Sequence, residues 1–338
     1  MWLQRSINIV LRGNDCVIFV AFATRVWQTP ASFAILSHMN THAKTIPSDT
    51  TSAQADTHPA PRKKHLLGKV LLALVVLYGL LNLGGKVRLV TRTYEIEDAR
   101  ISSEVRIAVV SDLHGARYGK NQSRILSALD QANPDAVLLL GDIFDEHNHN
   151  EQSYVLLNEL SGKFDCYFIF GNHEYKSGEI EQIRSALTQA GIPILSGTDT
   201  TLNVNGTNVQ IFGIDDILGG SVKQQKQLAS AAEKRSDDVF SILAIHAPNG
   251  VESYLSYGFD LMLSGHTHGG QIILPGIMNG LYAPGQGLLP KYGGGRYDFD
   301  DQTLIISRGL ARKPLWLPRV FNPPELVLVD LKPLATNP

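Results

Sequence analysis

A chain of 338 residues, 43% hydrophobic and 18% charged, has ordinary globular composition and room for one large domain or two of usual size. Its net charge of -2 offers no overall attraction to a polyanion, so nonspecific nucleic-acid binding is disfavoured and no specific nucleic-acid partner is expected. The only cysteines are Cys16 and Cys166, and one of them alone falls in the part read below as catalytic, which excludes a disulfide inside that part.

Residues 1–38 read as an amino-terminal extension. Their apolar run Cys16 to Ala23 is too short to span a bilayer, and Met39, which opens a polar stretch, is an alternative start of translation. Residues 39–65 are rich in Thr, Ser, Ala, Asp and Pro with little to bury, and read as a disordered polar tail. Residues 66–83 are almost uninterrupted Leu, Val, Ala and Gly, just long enough for a bilayer core, and are expected to form a transmembrane or signal-anchor helix; the plainer alternative is a buried helix. Arg62, Lys63 and Lys64 before it favour a cytoplasmic amino terminus, opposed by Lys86, Arg88 and Arg92 after it. The expectation is a membrane-anchored chain with its catalytic domain outside the cytoplasm.

The globular domain is expected over residues 94–332. Short runs rich in Val, Ile, Leu and Phe, at 107–110, 136–140, 167–170, 242–245 and 261–264, read as buried strands. Helical stripes separate the first of them: Ile125, Leu129 and Ala132; Tyr154, Leu157 and Leu160; Ile180, Ile183, Leu187 and Ala190. Alternation of this kind marks an α/β domain. Asn205-Gly206 between two apolar stretches reads as a hairpin, and 222–235 as a further polar helix. Ile272-Ile273 reads as a strand leaving the site, 275–297 as Gly- and Pro-rich loops over it, and 304–306 and 326–329 as closing strands.

Each buried strand runs out into the same kinds of residue: Asp112 and His114, Asp142, Asn172, His246, and His266 with His268. Unpaired Asp or His at the end of a buried strand carries a heavy desolvation cost, and a shared cation is the common remedy. In open α/β sheets the ligand site lies beyond the carboxyl ends of the strands. Imidazole, carboxylate and amide donors without thiolate suit Mn, Fe, Zn or Co. Seven side chains are too many for one tetrahedral ion; they suit two divalent transition-metal ions with one carboxylate between them, a pair able to clamp a phosphate and activate water.

Asp112-x-His114, Gly141-Asp142-x-x-Asp145, Gly171-Asn172-His173-Glu174, His246 and Gly265-His266-x-His268 occur in the order of the motifs of the calcineurin-like metallophosphoesterase superfamily, which the chain resembles from about Arg106 to Asp330. Pro323-Pro324-Glu325 is similar to the bacterial YkuE/YaeI-like phosphodiesterase branch, whose members tend to carry an amino-terminal signal or anchor. The resemblance implies a four-layer α/β/β/α sandwich of two mixed sheets flanked by helices. It gives one metal to Asp112, His114 and His268, the other to Asn172, His246 and His266, and the bridge to Asp142. It makes His173 the catalytic histidine and Asp145 the acid that orients it. Glu146-His147-Asn148 stand where the family's protein phosphatases carry an arginine, which speaks against that activity.

The expected activity is metal-dependent phosphoester hydrolysis, of a diester before a monoester, on a lipid-linked or envelope substrate. The alternatives are a nuclease or a phosphomonoesterase of the same fold, and a non-catalytic membrane scaffold. His147 and His149 read as solvated loop histidines. Asp215-Asp216 are either supports of the site or a plain turn, and Arg308, Arg312 and Arg319 either phosphate readers or surface ion pairs.

Overall fold

The structure, a computed structural model, describes residues 11–12, 15–16, 68–70, 72–73, 76, 88–147, 149–216, 222–312 and 318–334. The chain divides into two units, 1–61 and 62–338. In the first, the described residues are an antiparallel pair, Leu11–Arg12 with Asp15–Cys16, and the expected extension and polar tail otherwise lie outside the described residues. Most of 66–83 also lies outside them. Gly68, Lys69, Val70, Leu72, Ala73 and Val76 are helical and exposed, and among the described residues no helix is long and apolar enough to cross a membrane.

The second unit holds two mixed sheets. The first has the order β1 (Val90–Asp98), β11 (Glu325–Pro333), β2 (Val105–Val110), β3 (Ala136–Leu140) and β4 (Cys166–Ile169). Strands β2, β3 and β4 run parallel, whereas β11 runs antiparallel to β2 and parallel to β1. The second sheet has the order β9 (Gly295–Phe299), β10 (Gln302–Ile306), β8 (Leu261–Ser264), β7 (Phe240–Ile245), β6 (Thr207–Ile214) and β5 (Thr198–Val204). Its four inner strands are parallel and each edge strand is antiparallel to its neighbour. The turn between β5 and β6 has Asn205 and Gly206 at φ 49° and 88°, the left-handed pair that a tight hairpin turn needs.

Three apolar clusters divide the unit into layers. Ile107, Val109, Leu138 and Leu140 of the first sheet meet Ile211, Ile242, Ala244 and Leu263 of the second in the middle cluster. On the outer face of the first sheet, Val110, Leu139 and Phe168 pack on Ile125 and Leu129 of α1 (Ser123–Ala132), Leu156 and Leu160 of α2 (Glu151–Leu160), and Ile183 and Leu187 of the helix Ile180–Gln189. On the outer face of the second, Phe212, Leu243 and Met262 pack on Leu228 of the helix Val222–Lys234 and on Val251 and Tyr254 of Val251–Leu255. Strands β3 and β7 are buried along their whole length, because residues facing either way enter a core; this is why 136–140 and 242–245 read as unbroken apolar runs.

Three elements differ from expectation. The first strand begins at Val90, four residues before the expected domain start, and alternates polar with apolar side chains because it is an edge strand with one covered face. Gly295 to Tyr297, read as the end of the loops over 275–297, open the edge strand β9, Gly295–Phe299. Ile272-Ile273 makes only an isolated bridge, Ile272 to Val320.

Candidate metal centre

The carboxyl ends of β2, β3 and β4 on one sheet and of β7 and β8 on the other lie side by side, and the loops leaving them interlock. The Asp112 N–H donates to Gly141 O (3.0 Å), the His114 N–H to Asp142 O (3.0 Å) and the Gly265 N–H to His246 O (2.8 Å). Side chains continue the lacing: Asp112 Oδ1 accepts from the His266 N–H (3.0 Å) and Asp142 Oδ1 from the His173 N–H (2.9 Å). Two glycines are required by this closeness. A Cβ on Gly171 would lie 2.3 Å from Asp142 Oδ1, and one on Gly265 would lie 2.6 Å from Asp112 Oδ2. The loops are also strained. Asp112, His114, Asp142, His266 and His268 have φ of 53°, 48°, 52°, 68° and 50°, a left-handed backbone that costs a residue with a Cβ about 1–2 kcal/mol. Strain concentrated on the very residues singled out by chemistry points to a site.

The side chains gather in overlapping groups. Ligand atoms of Asp112, His114 and His268, and separately those of Asp142, His246 and His266, lie within 4.8 Å of one another; His114, Asp142 and His173 make a third such group. Asp142 Oδ2 is 2.9 Å from His246 Nε2, 3.7 Å from His114 Nε2 and 4.0 Å from His173 Nε2. Asp112 Oδ1 is 3.8 Å from both His246 Nε2 and His268 Nε2. Asp142 therefore stands between the two sets.

The unpartnered atoms test whether cations fit here. Among the described residues, His114 Nε2, Asp142 Oδ2, Asn172 Oδ1, His246 Nε2, His266 Nδ1 and His268 Nδ1 are all buried without a hydrogen-bond partner. Buried polar atoms are seldom left so, and six converging on one place is a donor set for positive charge. Two tautomers are already fixed for that task. His246 Nδ1–H donates to Leu140 O (2.7 Å), and His114 Nδ1 faces Asp145 Oδ2 (2.9 Å), which leaves each Nε2 lone pair turned to the centre.

The electrostatics agree. Burial works against ionisation of Asp142, but His246, His114 and His173 outweigh it and hold its carboxyl well below the usual range. Burial, with Asp142 adding to it, pushes Asp112 up. Burial, together with the neighbouring His246, pushes His266 down to about 3, and burial with His114 beside it holds His268 well below the ordinary histidine value, so both imidazoles stay neutral. Neutral imidazoles beside a carboxylate that resists ionisation suit divalent cations, which would reverse the preference of Asp112.

Asp145 departs from expectation. Its carboxylate is committed to His114, and the acid nearest His173 Nδ1 is Glu146, with Oε1 at 3.9 Å. A carboxylate placed on the outer nitrogen of a metal-ligating histidine is a common support, and the two-residue turn after Asp142 reaches His114 before it reaches His173. His173 keeps its Nδ1 unpartnered, and burial lowers its pKa.

Glu174 was given no role from the sequence. Fully buried, it accepts from the backbone N–H groups of Asp142 (2.9 Å), Gly171 (2.9 Å) and Phe144 (3.0 Å), tying the second loop to the third. Its place three residues after Gly171, at the start of the short helix Asn172–Lys176, is the available signal, since an acid there completes a capping box. Asn322 on a distant loop donates to His268 O (2.8 Å) and steadies that turn.

Other candidates are elsewhere. His147 and His149 are exposed. Asp215 lies buried in a separate polar cluster with Ser196 (2.6 Å) and Gln227 (3.0 Å). Arg308 is 3.3 Å from the buried Glu325, and Arg312 lies over the Tyr118 ring. Arg319 is 92% buried: Nη2 donates to Arg308 O (2.7 Å), while Nε and Nη1 have no partner. The next residue, Gly309, abuts Asp112, since a Cβ there would lie 2.6 Å from its Oδ2.

The chain is similar to known proteins over this region. The family model of the calcineurin-like phosphoesterases matches residues 105–270. YkuE, an uncharacterized metallophosphoesterase of Bacillus subtilis, is 30% identical over 242 residues, covering 69% of this chain and 80% of its own. Phosphodiesterase YaeI of Escherichia coli is 29% identical over 236 residues, 67% of this chain and 82% of its own. A transmembrane protein with metallophosphoesterase domain from Danio rerio is 27% identical over 255 residues, 70% of this chain and 58% of its own. Family match, relatives and the converging donors agree, and the chain belongs to the calcineurin-like phosphoesterases, a family that implies divalent metal ions and phosphoester hydrolysis.

Proposed function

We propose that the protein is a dinuclear metal-dependent phosphodiesterase, anchored to a membrane near its amino terminus and acting on a lipid-linked or envelope phosphoester. The observation that carries the dinuclear reading is the set of six buried, unpartnered nitrogen and oxygen atoms converging from two sheets. Asp112, His114 and His268 would hold one ion, Asn172, His246 and His266 the other, and Asp142, lying between the groups, would bridge. Two ions so held supply charge neutralisation at the phosphoryl group and lower the pKa of water beside it.

The chain's own side chains do the rest. Asp145 and the Leu140 carbonyl fix the tautomers of His114 and His246, and Glu174 holds the second and third loops in register. His173, partly open to solvent with Nε2 4.0 Å from Asp142 Oδ2, delivers a proton to the leaving oxygen. Arg319 turns its guanidinium N–H groups to the phosphoryl oxygens on the Asp112 side, a use favoured by its burial, by its electrostatic interaction with Asp112 and by Nε and Nη1 making no hydrogen bond among the described residues.

The preference for diesters is supported by the name of the Escherichia coli relative. The membrane anchor is supported by composition over 66–83 and by Val70, Leu72 and Val76, which are helical yet exposed and so do not behave as a buried core helix. We place the catalytic domain outside the cytoplasm. Metal analysis of the purified full chain, with hydrolysis of paired aryl mono- and diesters before and after chelation, tests the reading. Two transition-metal ions and chelator-sensitive diester cleavage are expected; full activity in the stripped protein would overturn it.

A further inference from the structure

Most of the exposed large apolar side chains of the catalytic unit, though not Leu334 beyond the far end of β11, are gathered at one end. Leu274, Ile277, Tyr282, Leu288, Leu289 and Phe321 are between 36% and 82% exposed. The topology fixes where they lie. The stretch 271–294 leaves the His268 turn, at the carboxyl end of β8, and returns at Gly295, which pairs with Ile306 at the carboxyl end of β10. It is tied down there by the Leu281 N–H on Gly270 O (2.8 Å). Phe321 lies on the excursion from the end of β10 to Glu325, the first residue of β11, and its neighbour Val320 bridges Ile272. All six side chains therefore hang from the end of the sheets that carries Asp112, Asp142 and the histidines.

The chain enters the unit at that same end. Val90, the first residue of β1, pairs with Glu325, and exposed Arg88 precedes it. From Leu83, the last residue of the apolar run, to Val90 is seven residue steps, a reach of roughly 25 Å when fully extended. Strand β1 carries the chain about 30 Å away from that entry over its nine residues. The turns at the far end expose Asp165, Asp238, Asp300 and Asp301, which outnumber the exposed Lys163 and Lys234 there and which an anionic surface repels.

We infer that the end bearing the metal residues is laid against an anionic phospholipid surface, with Ile277, Leu288, Leu289 and Phe321 dipping into the headgroup layer and the catalytic cleft opening onto the bilayer plane. Apolar side chains on loop tips beside a basic chain entry suit a headgroup boundary, and the short tether keeps this end, not the acidic one, at the surface. The inference deepens the membrane-anchored reading above and rests on it. It narrows the substrate class to phosphoesters whose scissile group lies in the headgroup layer.

The test uses the full chain reconstituted in vesicles of phosphatidylcholine with a minority of phosphatidylglycerol. In a Cys16→Ser background, Ile277→Cys and Leu288→Cys are labelled with an environment-sensitive fluorophore, with Asp301→Cys on the far turn as the control. Lipids carrying a headgroup-level nitroxide should quench the labels at 277 and 288 severalfold more than the one at 301. Equal quenching at all three positions overturns the inference. So does protection of the 277 and 288 labels without vesicles and with a doubled mass in solution, which would make the patch an interface between copies. Two independent label sites guard against one variant misfolding. Metal content and aryl diester hydrolysis are measured on the same samples: their loss alongside intact differential quenching counts against the enzyme reading and leaves the orientation standing.

Discussion

Replacing Glu174 with Gln probes the tie between the second and third metal loops. In the wild-type protein Oε2 accepts from the Asp142 and Gly171 N–H groups and Oε1 from that of Phe144. Glu174→Gln keeps one oxygen, which stays with the pair; the new amide N–H group then faces the Phe144 N–H. Two buried donors are left unmet, at about 1–3 kcal/mol each, or roughly 2–6 kcal/mol. The amide also relieves the burial of a charge, which, with Asp142 beside it, pushes Glu174 up to about 7, so the net loss should fall near the lower end, about 2 kcal/mol. Against the roughly 5–15 kcal/mol that holds a domain together this is large but survivable, and it should lower the melting temperature by about 4–8 °C. Urea denaturation of the chelator-treated protein, followed by circular dichroism, reads the loss without the metal's contribution. A Glu174→Gln variant with an unchanged midpoint and unchanged metal occupancy would refute the reasoning that this carboxylate holds the loops.

Asp142→Ala should lose bound metal and activity together, measured by elemental analysis and aryl diester hydrolysis. His173→Ala should keep most of the metal and lose turnover; equal loss of both would make it a ligand. Asp145→Asn should weaken metal binding by about 10–100-fold, as loss of a carboxylate behind a ligating histidine does; unchanged metal affinity would refute that role. His266 is held down to about 3 by burial and by His246, whereas in the unfolded chain it titrates near 6.5. The unfolded state therefore takes up the proton first, and metal-free protein should lose, from this residue, on the order of a few kcal/mol as pH falls from about 6.5 towards 3. His246, whose pKa is raised despite burial because Asp142 lies against it, contributes with the opposite sign. His266→Gln should flatten the first slope; an unchanged acid-denaturation curve would count against it.

Much of the centre was legible because two-sided burial writes itself into sequence. Strands β3 and β7 touch a core on both faces, so Ala136 to Leu140 and Ile242 to Ile245 are apolar without a break, and the polar residue that follows each stands out. Edge strands carry no such mark: Val90–Asp98 and Gly295–Phe299 alternate with Arg, Glu and Asp and resemble loop. The pairing of Asp145 with His114 was not legible either, because His114 and His173 both lie near the same turn and only the folded arrangement decides which ring nitrogen the carboxylate meets. Glu174 was in view, but a residue whose work is to accept three backbone N–H groups has no signature beyond its place at a helix start.

The donors come from both β-layers: Asp112, His114, Asp142 and Asn172 follow strands of one, and His246, His266 and His268 follow strands of the other. Neither layer carries a complete set for either of the two proposed ions. The chain itself also joins the layers, because β11 returns from the second sheet to lie between β1 and β2 of the first, so bound ions would add a second fastening to the one that this strand and the middle apolar cluster already make. Cation supply would then bear on how firmly the two β-layers hold together as well as on turnover.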